Sequence, residues 1–135
     1  MASVIKEVLV DAPAARCWAS LRDFGAVHER LARGFVSTTT IVGESERELT
    51  FFTGAVARER LVGLDDGAMR LAYTVYESPI PSDHHNASAQ IVPVSDSQCS
   101  FVWITDVLPD DQAARIGELM SAGLRAIKET LESGA

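Results

Sequence analysis

Basic charge is scarce in this chain. Twelve Lys and Arg against nineteen Asp and Glu leave a net charge of −7. Nucleic acid and anionic membrane surfaces both demand a basic face, so neither is an expected partner. The acidic residues are scattered rather than blocked, which reads as a soluble surface. Long apolar runs are missing as well. No stretch reaches the roughly eighteen residues that a membrane-spanning helix needs, and Met1–Lys6 has no signal-peptide pattern. Two cysteines, Cys17 and Cys99, supply neither a disulfide framework nor a metal-ligand spacing. They fit a reduced, cytoplasmic setting in which both thiols act as small apolar packers. No Ser-His-Asp arrangement, Gly-rich phosphate loop or metal cluster is evident, and no cofactor is expected. What remains is 135 residues, 47% apolar and 23% charged, enough for a single domain over residues 1–135 with an unstapled core.

The strongest periodic signal is the last one. Ala113, Ile116, Leu119, Met120, Leu124, Ile127 and Leu131 recur at steps of three and four, which predicts one amphipathic helix over Asp110–Leu131. Pro109 and the two following Asp residues suit a helix start, and Asp111 with Arg115 makes an i,i+4 pair in the favourable order. Gly117 and Gly123 are costly inside a helix, so their expected use is close approach, to a sheet or to something held against it.

Strand signals fill most of the rest. Val4–Val10 reads as a first strand with Lys6 and Glu7 at an edge or wet face. Asp11 is expected to cap, and Pro13 to open, a short helix that turns Ala14, Cys17, Trp18 and Leu21 to one side. Asp23-Phe24-Gly25 breaks it, and a second short helix carries Val27 and Leu31. Three hairpins then follow: Phe35–Val42 with Glu48–Thr53, Val56–Leu64 with Ala68–Glu77, and His85–Val94 with Gln98–Leu108. The middle turn, Asp65-Asp66-Gly67, predicts a three-residue loop with glycine in the left-handed region.

Several of these segments carry a family resemblance. Asp11-Ala12-Pro13, Cys17-Trp18 and Asp23-Phe24-Gly25 are similar to the opening of the START-like (Bet v 1-like, SRPBCC) superfamily, especially its bacterial polyketide cyclase/dehydrase and lipid transport branch. Glu59-Arg60-Leu61, Leu64-Asp65-Asp66, Tyr73, Pro79-Ile80-Pro81 and Trp103 before Pro109 resemble the same branch further along. The second helix departs from it, with His28-Glu29-Arg30-Leu31 where a Trp-x-Pro is common. Thr53-Gly54-Ala55 is too short for the gate loop of plant hormone receptors. The resemblance implies an α+β helix-grip fold, a seven-stranded curved antiparallel sheet around the C-terminal helix, with two short helices between strands 1 and 2. It also implies an apolar cavity between sheet and helix.

Strand parity nominates the lining. A three-residue loop at Asp65–Gly67 pairs Leu61 with Leu71 and Glu59 with Tyr73, which puts Glu59, Leu61, Leu71, Tyr73 and Val75 on the inner face. A two-residue loop would bring in Arg58, Arg60 and Val62 instead. The next strands offer His85, Ala87, Ala89 and Ile91, then Phe101, Trp103 and Thr105, while Leu119, Met120 and Gly123 face them from the helix. Glu59 and His85 are the two candidate acid–base groups. Inside, burial would favour the neutral form of Glu59, with Arg58 or Arg60 as the cation opposing that; outside, Glu59 is an ordinary surface ion pair. His84 and His85 point to opposite faces and cannot share a metal. Arg33 reads as a solvated helix-end residue. A carrier or sensor of a hydrophobic small molecule (lipid, polyketide or isoprenoid-like), a polyketide cyclase or dehydratase, and a partner-binding module with a vestigial cavity all fit. The scarcity of inner ionisable groups favours the first.

Overall fold

The computed structural model describes residues 1–134. Seven strands form one antiparallel sheet in the order β1-β7-β6-β5-β4-β3-β2. They are β1 Ala2–Val10, β2 Val36–Gly43, β3 Glu46–Phe51, β4 Val56–Asp65, β5 Arg70–Glu77, β6 His84–Pro93 and β7 Cys99–Leu108. Consecutive strands pair throughout, except that β1 reaches round to lie against β7. Alternation decides which side each residue takes. In β1, Val4 and Val8 pack inward while Ile5 and Leu9 stay exposed.

The hairpin turns differ from expectation in detail. Between β4 and β5 the last pair is Asp65 with Arg70, so the loop holds four residues rather than three. Its left-handed residue is Met69, at φ 51°, and not Gly67. The Asp65 carboxylate accepts the Ala68 N–H at 3.0 Å, a side-chain contact that shapes the longer loop. A bulge between Leu61 and Gly63 absorbs part of the difference, and the pairs below it are Leu61 with Tyr73 and Glu59 with Val75. The register is thus displaced by two residues from the expected one. Two is the period of a strand, so every inward side chain remains inward.

Two α-helices and two short turns complete the described residues. Helix α1, Ala14–Arg22, buries Cys17, Trp18 and Leu21, with Pro13 one position earlier than expected, at the N-cap. Asp11 does not cap it; its own N–H donates to Glu132 at 2.8 Å. Val27–Leu31 forms a single π-helical turn that buries Val27 and Leu31. A 3-10 turn over Asp110–Gln112 leads into α2, Ala113–Glu132. Asp111 and Arg115 form no pair among the described residues; it is Asp110 that meets a cation, the N-terminal ammonium at 3.1 Å.

Helix α2 lies against the inner face of the sheet. Ile116, Met120, Leu124, Ile127 and Leu131 are buried there, as the periodicity predicts, but Leu119 is 45% exposed. Both glycines are points of contact. A Cβ on Gly117 would sit 3.5 Å from Val4, and one on Gly123 would sit 3.1 Å from the Trp103 ring and 3.3 Å from Phe35. A side chain at Gly123 would therefore require the Trp103 and Phe35 rings to give by a few tenths of an ångström. The C-terminal end of α2 is also tied down, by Arg16 donating to the Leu131 carbonyl and Thr130 accepting the Arg33 N–H.

The two sides of α2 differ in energetic weight, and truncation separates them. Ile127, 4% exposed in the main core, should lose about 2–5 kcal/mol on replacement by Ala. Leu119→Ala should stay within about 0.5 kcal/mol, as exposed sites do. Urea unfolding of both variants measures this; equal losses would contradict the placement of the helix.

Candidate functional site

Between the sheet and α2 lies a cavity of about 500 Å³. Its walls come from every layer of the fold. The sheet contributes Leu49, Leu71, Tyr73, Val75, Ala89, Phe101, Trp103 and Thr105; α2 contributes Ile116, Leu119, Met120, Gly123 and Ile127. Leu21, Val27 and Leu31 line it from the short helices, and Phe51 at the end of β3 with Phe52 and Thr53 of the β3–β4 loop line it further on. A second depression, between β1 and α2, is a shallow groove open to solvent and carries Lys6, Glu118 and Arg125. Enclosure and apolar walls both single out the first.

Most of the expected lining is found there. Leu71, Tyr73, Val75, Phe101, Trp103, Thr105, Leu119, Met120 and Gly123 all border the space, as do Glu59 and His85. Leu61 and Ala87 do not. Both are direct cross-strand partners of Tyr73, and the larger tyrosine ring meets the cavity in their place. Leu61 packs at the edge of the core and Ala87 within it. Arg33 is exposed, as expected, but it bonds the Ser133 hydroxyl at the end of α2 rather than the end of the short helix it follows. His85 lines the space and His84 does not.

The residue that parity reasoning omitted is Arg47. It is 5% exposed, Glu59 is 6% exposed, and the two are direct partners across β3 and β4. Arg47 Nη2 and Nε lie 2.7 and 2.9 Å from Glu59 Oε1. The guanidinium also donates to the Phe24 carbonyl at 3.2 Å and stacks 3.9 Å over the Phe24 ring. So the counter-charge of Glu59 is neither Arg58 nor Arg60. Those two point outward, to Glu48 and Glu77 and to Glu46 respectively. The signal was present in β3, where Arg47, Leu49 and Phe51 alternate. A four-residue β3–β4 loop after Phe51 then brings Arg47 opposite Glu59.

A second polar contact adjoins the ion pair. Trp103 Nε1 donates to the Tyr73 hydroxyl at 3.1 Å, and the Arg47 guanidinium lies 5.4 Å from the Tyr73 ring centre. Burial, followed by the nearby Glu59 charge, raises the Tyr73 pKa. The phenol is therefore a neutral hydrogen-bond donor rather than a base. His85 is different: its Nδ1 is buried with no partner. Burial, and secondly the adjacent His84, lower its pKa, which keeps the imidazole neutral around pH 7. Among the described residues no group of His, Cys, Asp and Glu is arranged to hold a metal ion, and no helix is long and apolar enough to cross a membrane. The two cysteines are free and buried, and burial raises the Cys17 thiol to about 12, so it is inert.

The chain matches the model of a family described as polyketide cyclase / dehydrase and lipid transport over residues 1–132. A Thermobifida fusca protein solved in solution is 32% identical, with a TM-score of 0.80 over 98% of this chain and 95% of that one. Two more distant structures share the fold. The Zhui aromatase/cyclase from Streptomyces sp. R1128 is 18% identical, with a TM-score of 0.70 over 98% and 90% of the two chains. Norcoclaurine synthase from Thalictrum flavum is 18% identical, with a TM-score of 0.74 over 98% and 84%. No curated protein matches the chain in sequence.

Two predictions concern the polar groups. Arg47→Met strands a buried carboxylate and should cost about 3–5 kcal/mol, whereas Arg47→Met/Glu59→Leu removes both charges and should restore most of the loss. Chemical denaturation of the three proteins measures this; a double variant no more stable than the single would show that the pair is not electrically coupled. His85 has a folded pKa below its unfolded value of 6.5, so the unfolded chain takes up the extra proton. Its contribution is complete above that value and is lost as pH falls through the folded pKa. Thermal melts at pH 7.5 and 5 should show a decrease that is smaller in His85→Gln; an identical decrease would place His85 in water.

Proposed function

The chain belongs to the polyketide cyclase / dehydrase and lipid transport family, and from that membership we propose that it binds a hydrophobic small molecule in the cavity between the sheet and α2, as a carrier or sensor. One observation carries the choice. The charged pair buried in this cavity, Arg47 with Glu59, is internally neutralised. Two contacts from the guanidinium converge on one carboxylate oxygen, so the charges are spent on each other rather than on a substrate. An apolar room with a few fixed polar groups is what a ligand site requires, and about 500 Å³ is the size of a small-molecule pocket. The exposed apolar side chains Phe52 and Leu119 border the cavity, which suits entry of an apolar guest.

The second reading is cyclase or dehydratase chemistry, and His85 is the residue that supports it. A neutral imidazole on a cavity wall can take or give a proton near pH 7. Tyr73, neutral and already accepting from Trp103, could polarise a carbonyl beside it. Relatives of the same fold include a protein named as an aromatase/cyclase and a synthase held with dopamine and hydroxybenzaldehyde. Both are under 25% identical to this chain, so they support the possibility of chemistry here only through shape.

Native mass spectrometry of protein purified from its own host tests the binding reading directly. A retained small molecule is expected, and an uncharged naphthylamine probe should bind one-to-one and quench Trp103. Bare protein together with no probe binding would overturn the proposal. Giving the apo-protein the uncyclised or hydrated precursor of the recovered molecule then separates the two readings. A carrier releases that precursor unchanged, whereas a cyclase or dehydratase releases a product of altered ring count or one water lighter.

A further inference from the structure

The end strand β1 has β7 on one side and no strand on the other. Backbone groups in a strand point alternately to its two sides, and the bonds at the end of β1 show which residues face outward. Lys128 Nζ donates to the Leu9 carbonyl at 2.7 Å, and the Asp11 N–H donates to Glu132 at 2.8 Å. Both partners belong to α2, outside the sheet. The odd-numbered residues of β1 therefore direct their N–H and C=O groups away from β7. Ser3, Ile5 and Glu7 present theirs on the open edge, and among the described residues none has a backbone partner in another element.

Helix α2 runs beside this edge in the same direction as β1. The Met1 ammonium meets Asp110 at its start, Gly117 approaches Val4 and Lys6, and Lys128 reaches Leu9 further on. Between strand and helix lies the open groove, about 510 Å³, with Val4, Ala113, Ala114, Gly117 and Ser121 as its uncharged lining. Its charged residues are Lys6, Arg125 and Glu118. Neither Lys6 nor Arg125 has an ion-pair partner among the described residues. The groove is thus net positive on a chain whose net charge is −7. Glu7 stands on the opposite face of the strand, which alternates.

We propose that this edge and groove dock an extended segment of another protein as an added strand, small or apolar at its groove-facing side chains and acidic at one of them. The proposal is independent of the cavity. In strand addition the main-chain bonds supply affinity, and alternate side chains supply selectivity. The stretch from Ser3 to Glu7 is about 14 Å long, room for about five residues. A second copy of this chain fits poorly. The groove-facing residues of β1 are Ala2, Val4, Lys6, Val8 and Val10, with no acid among them. Antiparallel self-pairing centred on Lys6 would set two lysines directly opposite, which is destabilising. The charge that deters a copy is the charge that favours an acidic partner.

Fluorescence anisotropy of the full chain with labelled Val-Thr-Ala-Thr-Glu-Thr-Val, and with the same peptide carrying Lys in place of Glu, tests this. The acidic peptide should bind with a Kd of about 100 µM or tighter. The lysine peptide should bind about fivefold or more weakly, and Lys6→Glu/Arg125→Glu should reverse that preference. Ile5→Pro removes an outward N–H from an edge strand, where proline is tolerated, and should weaken the acidic peptide about tenfold. Should that variant fail to fold, hydrogen exchange in the wild-type protein decides the matter: the N–H groups of Ser3, Ile5 and Glu7 should exchange more slowly once the acidic peptide is added. No binding of the acidic peptide, equal binding of the two peptides, or unaltered exchange at those groups would overturn the proposal. So would sedimentation showing a dimer that Ile5→Pro dissociates, which would assign the edge to a second copy.

Discussion

An antiparallel sheet that is apolar on one side must have that side covered, and α2 is the single long helix available to cover seven strands. A straight cylinder cannot touch a curved sheet everywhere. It makes close contact where its surface is cut back to backbone, at Gly117 against Val4 and at Gly123 against Trp103 and Phe35. Elsewhere side chains such as Tyr73, Phe101 and Met120 stand between the two surfaces, and the space they leave is the cavity. The glycines therefore do more than permit packing. They set the height of the helix above the sheet, and with it the room for a guest. Trp103 takes part in both functions, since it meets Gly123 on one side and bonds the Tyr73 hydroxyl on another.

The buried ion pair answers to a different constraint. Two charges removed from water lose several kcal/mol of solvation each, and their mutual attraction offsets this only when geometry is good. Arg47 and Glu59 meet that condition by being cross-strand partners, so the backbone ladder itself sets their separation. The guanidinium then spends its remaining contacts on the Phe24 carbonyl and ring. Because Phe24 belongs to the link between α1 and the π-helical turn, the pair also ties that link to β3 and β4. A similar tie runs from the far side of α1, where Trp18 and Arg22 both contact the Asp66 carboxylate in the β4–β5 loop. The short helices are thus pinned at two points to strands they do not otherwise pair with.

How far the sequence could be read follows from which errors the physics forgives. The turn at Asp65 was misjudged in length and in its left-handed residue, yet the inner face of β4 and β5 came out right. A displacement of two residues leaves strand parity intact, whereas a displacement of one would have exchanged Glu59 for Arg58 and Arg60. The amphipathic period of α2 identified its buried stripe and failed only at Leu119. Period shows which side of a helix is apolar and not how much of that side the sheet reaches. Arg47 was missed for a more instructive reason. Charged residues are seldom buried, so an arginine in a strand reads as solvent-facing until its partner is known. The partner is fixed by the β3–β4 register, which depends on the loop Phe52–Ala55, a stretch whose turn residues give weak guidance.

Where Glu59 sits matters less for function than what already holds it. A carboxylate alone in an apolar cavity would be driven toward its neutral acid and would resemble a catalytic group waiting for a substrate. Beside Arg47 it is one half of an ion pair, and no net charge is brought into the core. His85 has no such partner, and its unbonded Nδ1 is a standing cost to the fold. A histidine kept neutral by burial and left unsatisfied by the protein is either tolerated packing or a group completed by something else. His85 differs from His28, whose Nδ1 is likewise buried and unpartnered, in standing on the cavity wall, where a guest could reach the ring.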